Sequence, residues 1–145
     1  MKAVLQRVSH SSVTVDKQVI SSINKGLLVL LGIEKRDTVE NAKALCKKIA
    51  NLRIFEDAQE KMNLSILDIQ GEVLVISQFT LMANTQKGNR PAFVDAAPPE
   101  IAKPLIENFC ARLREYGLTV QQGIFGAHMM VDLVNDGPVT IWLEN

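Results

Sequence analysis

Residues 27–33 read LLVLLGI. This unbroken apolar run is far too short to span a bilayer, and it lacks the alternation of a strand with one wet face. It predicts a strand covered on both sides. The rest of the chain therefore has to bring apolar material to two faces of one sheet. A length of 145 residues suffices for that within a single domain, residues 1–145, without disulfide or metal staples.

The flanking segments supply the cover. Residues 2–8 (KAVLQRV) and 12–16 (SVTVD) read as strands, and in the second Val13 and Val15 alternate with Ser12, Thr14 and Asp16. Val19–Ile23 adds a short third strand. Beyond the apolar run the period changes. Thr38 is placed as an N-cap, and Val39, Ala42, Leu45, Cys46 and Ile49 recur at helical spacing. Asn51–Phe55 reads as a strand followed by a polar turn, and Gly71 precedes a buried strand over Glu72–Phe79. Residues 83–97 are loop-like. Pro98 and Pro99 suit the first turn of a helix whose apolar stripe is Ile101, Leu105, Ile106, Phe109, Leu113 and Tyr116, with Gly117 at its end. Pro104 falls within its first two turns, where proline is better tolerated. Met129–Asn135 and Val139–Leu143 read as two strands around a turn at Asp136-Gly137-Pro138. The expected fold class is α+β: about eight strands in a mostly antiparallel sheet forming a barrel-like core, with two helices packed on one face.

Charge narrows the function. Lys+Arg and Asp+Glu are 16 each, so the formal net charge is zero. That excludes holding nucleic acid or membrane by bulk charge, while leaving room for a polyanion site built from a few local groups. Cys46 and Cys110 form no C-x-x-C pair and no Cys/His cluster, so no metal site is expected. They read as inert core thiols of a reducing compartment. The N-terminal segment alternates and carries Arg7, unlike a signal peptide, and the expected location is cytoplasmic.

Two strings break the local pattern. Ser77-Gln78-Phe79-Thr80-Leu81 puts polar side chains at the end of an apolar strand, where they meet a loop and are well placed to touch a ligand. Ser77 and Thr80 are nucleophile types, but that chemistry needs a base within reach, and only His10 and His128 exist, neither near in sequence. Asn135-Asp136-Gly137-Pro138-Val139-Thr140 reads as a hairpin turn. An X-Pro bond is cis at low cost, and a glycine before it exposes main-chain carbonyls to a ligand. Arg7, in an otherwise apolar strand, fits an edge or interface role and a surface role equally. Lys47 and Lys48 read as the wet face of the first helix, and Gly88-Asn89-Arg90-Pro91 as a solvated loop. The small residues around Phe125 and Met129 fit either core packing, the default, or a pocket for a flat base.

Taken together, these strings resemble the D-aminoacyl-tRNA deacylase family over nearly the whole length. The resemblance rests on Gln6-Arg7-Val8, Ser12-Val13-Thr14-Val15, Gly26–Gly32, Arg53-Ile54-Phe55, Lys61-Met62-Asn63, Ser77-Gln78-Phe79-Thr80-Leu81, Gly88 with Arg90-Pro91, and Asn135–Thr140. Ala92-Phe93 departs from the Ser-Phe expected in many relatives. The resemblance implies a homodimer with active sites at the subunit interface and no cofactor. Gly137-Pro138 would be a cis peptide reaching into the partner's pocket, with Arg7 bracing it. Ser77, Gln78, Phe79 and Thr80 would form the pocket floor, and Phe125 and Met129 would line the cleft for the terminal adenine of tRNA. The implied reaction is hydrolysis of the ester of D-aminoacyl-tRNA, with L-aminoacyl substrates rejected and the tRNA 2′-OH assisting; a filter that rejects L by clash is expected to pass glycine, so mischarged glycyl-tRNA is an expected substrate too. DNA and membranes are not expected partners. Two other readings stay open: a small-ester hydrolase with Thr80 or Ser77 as nucleophile, and a dimer that binds the tRNA end without catalysis.

Overall fold

The computed structural model describes residues 1–145. Eight strands and two helices follow one another: β1 (Lys2–Val15), β2 (Gln18–Ile23), β3 (Gly26–Gly32), α1 (Val39–Ala50), β4 (Phe55–Glu56), β5 (Met62–Leu64), β6 (Glu72–Ser77), α2 (Pro99–Glu115), β7 (Thr119–Gln122) and β8 (Met130–Glu144), with a 3-10 turn over Phe79–Met82 after β6.

The apolar run becomes β3, at the centre of a sheet ordered β2-β1-β3-β6-β7, with β8 on the other side of β1. β1 is long enough to pair with β3 along Lys2–Val8 and with β2 along Ser11–Val15, while β8 follows its opposite edge. These three pairings are antiparallel, and β3–β6 and β6–β7 are parallel. Parallel neighbours need long crossovers, and α1 and α2 lie within them. The two helices cover one face of the sheet, where Leu45, Ile49, Phe109 and Leu113 share a core with Ala3, Leu5, Val29 and Val75. On the opposite face Leu28, Leu74 and Ile76 pack with Val8, Val13 and Ile23. The far halves of β1 and β2 thus fold back over β3 and β6, which curls the sheet into the expected barrel-like shape.

The helix boundaries fall where the sequence places them. Asn41 Oδ1 accepts from the Thr38 amide (3.0 Å) and hydroxyl (2.8 Å) at the start of α1. Pro99 opens α2 and Pro104 is accommodated early in it. No helix is long and apolar enough to cross a membrane.

Four strand expectations need correction. Segments 2–8 and 12–16 are one continuous strand, because β8 bridges the polar residues between them. Asn51–Phe55 is not a strand: only Phe55–Glu56 pairs, with Met62–Leu64, and Arg53 instead turns its side chain onto Asn63. β6 stops at Ser77, and Phe79–Met82 coils into the 3-10 turn. The two strands around Asp136-Gly137-Pro138 are a single one, β8, with no hairpin. β7 carries too little apolar pattern to stand out, since Val120 is its one buried side chain. The loop assignment over 83–97 holds, apart from isolated bridges at Asn84–Ala92 and Glu34–Ala96.

Candidate active site

β3 and β6 run parallel and end side by side, Leu31 opposite Ser77. The carboxyl ends of parallel strands are where such sheets open a crevice. The Gln78 amide donates to the Leu31 carbonyl at 2.8 Å, which carries the chain past the strand end and into the 3-10 turn. Buried Met82 anchors that turn. The Gln78 side-chain amide hydrogen-bonds the Thr80 hydroxyl. Phe79 stays 57% exposed and meets Phe93 edge-on, ring centroids 5.0 Å apart.

A cavity of about 490 Å³ opens beside this turn. Ser77, Gln78 and Phe79 line one side, Phe125 and Met129 another, and Ala97, Pro99 and Ala102 the start of α2. Gly123 leaves room for Met129 to approach β6: a Cβ there would stand 2.5 Å from the Met129 sulfur and 3.0 Å from Ile76 Cδ1, so the flexible Met129 side chain would have to shift. Phe125 and Met129 line this cavity and also pack against the two apolar clusters, Phe125 against the helix side and Met129 against the opposite one. The wall from α2 and the presence of His128 in the lining are not evident in the sequence. The small residues Ala96, Ala97 and Ala102 were its only trace, and Pro98-Pro99 masked them as a helix start. Thr80 points its hydroxyl at Gln78 and is absent from the lining. His10 is occupied at the surface, its Nε2 3.2 Å from Asp132. Burial pushes the Cys46 and Cys110 thiols up to about 12, so neither is a nucleophile near neutral pH.

A second cluster lies on β8. Gln6 pairs with Thr140 and Val8 with Asn135, so two steps along β1 match five along β8. β8 therefore bulges, and the bulge holds Asp136, Gly137 and Pro138. The Gly137–Pro138 peptide is cis, and both residues are exposed. Arg7, 4% exposed, fixes the base of the bulge. Its Nε donates to the Asp136 carbonyl and its Nη1 to the Ile54 carbonyl, each at 2.8 Å, and its Nη2 lies 3.5 Å from Glu56. The Asn135 amide donates to the Arg7 and Val139 carbonyls at 3.0 Å each. The expected residues thus form two groups. Ser77, Gln78, Phe79, Phe125 and Met129 line one cavity, whereas Arg7, Gly137 and Pro138 form an exposed, braced bulge outside that lining.

The sequence profile of the D-Tyr-tRNA(Tyr) deacylase family matches residues 4–144. The chain belongs to this family. The D-aminoacyl-tRNA deacylase of Roseiflexus castenholzii is 59% identical over 145 residues, covering 100% of this chain and 92% of the relative. That of Thermomicrobium roseum is 54% identical over 145 residues, covering 100% and 94%. The solved structure of a c-Myc DNA unwinding element binding protein superposes with a TM-score of 0.94 at 46% identity, covering 100% of this chain and 99% of that one. A probable eukaryotic D-amino acid tRNA deacylase shares the fold, with a TM-score of 0.84 at 17% identity over 98% and 97% of the two chains. Within the D-Tyr-tRNA(Tyr) deacylase family, then, the cavity and the bulge are the two features whose chemistry needs an account.

Proposed function

We propose that this member of the D-Tyr-tRNA(Tyr) deacylase family is a hydrolase of the ester bond of D-aminoacyl-tRNA, that it works as a cytoplasmic homodimer, and that residues 1–145 act as one catalytic domain. The observation that carries the reading is the separation of the two groups. The cavity has a polar shelf but no device to sort mirror images, and the bulge is braced by Arg7 and Asn135 yet lies outside the lining of that cavity. In a symmetric pair the bulge of one protomer enters the cavity of the other, and two incomplete sites become two complete ones.

The terminal adenine occupies the cavity between Phe125 and Met129, where a flat ring meets an aromatic face and a polarisable sulfur. The ester then lies over Ser77–Thr80. As the first residues of a 3-10 turn, Phe79 and Thr80 have amides without an intrahelical acceptor, and such amides stabilise an oxyanion as it develops. Water is the nucleophile, and the neighbouring 2′-OH of the ribose helps to activate it. This fits a shelf on which neither hydroxyl is paired with a base. Handedness is sorted by exclusion. The partner's Gly137 and Pro138 carbonyls occupy the space of an L side chain, whereas a D side chain points outward. Glycine has nothing to clash and passes the filter, so glycyl-tRNA is also hydrolysed. The buried unpaired thiols suit a reducing cytoplasm.

The test compares hydrolysis of D-, L- and glycyl-tRNA by the wild type and by Thr80→Ala. The expected result is turnover of the D and glycyl esters, rejection of L, and substantial activity in Thr80→Ala. Complete loss in Thr80→Ala with binding intact would restore Thr80 as a nucleophile. Binding of the tRNA end with no turnover would leave a binding dimer.

A further inference from the structure

A second chamber, about 320 Å³, adjoins the cavity assigned to the terminal adenosine. The two share Ser77 and Phe125 as a common wall. They lie side by side along α2: Pro99 and Ala102 face the first, and Lys103, Ile106 and Glu107 face the second. Gln122, at the end of β7, also lines it.

The lining has an uneven chemistry. Ile106 and the shared Phe125 offer apolar surface, while the Glu107 carboxylate, the Gln122 amide and the Lys103 ammonium belong to the same lining. Lys103 takes part in none of the ion pairs of the chain, so its charge is available to a ligand. A carboxylate accepts from an exocyclic amine, an amide donates to ring acceptors, and an ammonium meets a phosphate. A cytosine presents such an amine at N4 beside acceptors at N3 and O2. Every tRNA has a cytidine before its terminal adenosine, joined to it by one phosphodiester.

We propose that the second chamber is a subsite for this penultimate cytidine. Glu107 accepts from the cytosine amine, Gln122 donates to its ring acceptors, and Lys103 meets the phosphate linking it to the adenosine. The proposal rests on the deacylase reading and deepens it. Each nucleotide has its own chamber and Phe125 stands between them, so recognition extends one residue past the reacting end without bulk positive charge. Single-stranded ends are typically read in this way, by stacking surfaces and base edges.

The experiment uses three small substrates with the wild-type protein: a D-aminoacyl adenosine, the same ester on cytidylyl-(3′→5′)-adenosine, and the same ester on uridylyl-(3′→5′)-adenosine. The cytidine dinucleotide is expected to exceed the adenosine in kcat/KM by about tenfold or more, and the uridine dinucleotide to fall short of it by about tenfold, since uracil offers an oxygen where Glu107 needs an amine. Lys103→Ala lowers the dinucleotide-to-mononucleotide ratio for both bases. Glu107→Gln narrows the gap between cytidine and uridine, because an amide also donates. Equal kcat/KM for adenosine and dinucleotide in the wild type would overturn the subsite. So would variants that lower all three substrates in parallel. No turnover of any of the three would overturn the deacylase reading itself, and the subsite with it.

Discussion

Arg7 shows how much one side chain decides. It is buried and satisfied by two carbonyls and a carboxylate from separate segments. Arg7→Ala would leave the Asp136 and Ile54 carbonyls without their donor, and we expect a loss of about 3 kcal/mol in urea unfolding. Arg7→Lys keeps the charge but reaches fewer acceptors at once, so we expect roughly half that loss. Gly137 is limited by space. A Cβ there would lie 2.5 Å from the Val139 amide nitrogen and 2.7 Å from its Cγ2, at a φ of +153°. We expect Gly137→Ala to shift the bulge and to lower turnover of D-aminoacyl-tRNA on the order of a hundredfold, with a folded circular dichroism spectrum retained. Unchanged D and L kinetics would separate the bulge from the substrate. At this scale the sequence was informative about residue identity and silent about partners. Ser77–Thr80 and Gly137-Pro138 stood out because they broke a local pattern, whereas nothing in the string Gln6-Arg7-Val8 named Asp136 or Ile54 as the acceptors for Arg7.

At the level of elements, β8 is the instructive case. Asp136-Gly137-Pro138 has the composition of a turn, and turn chemistry alone implies a reversal. Pairing with β1 on both sides of the string prevents it, so the surplus residues leave the strand as a bulge and the strand continues. Asn135 staples both flanks, and Asn135→Ala should cost about 1–2 kcal/mol in a thermal or urea melt while also loosening the bulge. β3 was legible because a strand covered twice needs no alternation. β7 was not, because four residues with one buried side chain leave no period to detect. The interface of α1 and α2 carries a pH signature. Cys46 Sγ donates to the Phe109 carbonyl at 3.3 Å, and burial pushes both thiols up from about 9 to about 12. A folded-state pKa above the unfolded one means that the contribution is fully present below about pH 9 and is lost as pH rises towards about 12. Unfolding free energy should thus fall across that window, and less steeply in Cys46→Ala.

For the molecule as a whole, the sequence conveyed the class of fold and the general shape, because two apolar faces on one strand require a curled sheet and helices. It could not convey that the cavity and the bulge lie apart, which is a fact of packing. The proposed pairing of two copies can be tested through Trp142, the one tryptophan. It is 51% exposed on the isolated chain and sits across from Val4 on the β1–β8 ribbon that carries the bulge. Association through this ribbon should shift its emission to the blue as concentration rises, and Trp142→Glu should leave a monomer by sedimentation, with deacylation lost. A concentration-independent spectrum together with a monomeric mass would exclude the dimer. The ribbon also fixes the order of events when the protein is made. β8 and β1 lie far apart in the sequence, and the two must zip together before Arg7 finds Asp136. Such non-local closure is the slow step in sheet proteins, and an unpaired β1 edge is sticky in the meantime. Until β8 has paired, the Arg7 guanidinium lacks its acceptor at Asp136 and the Gly137-Pro138 bulge has no frame to hold it.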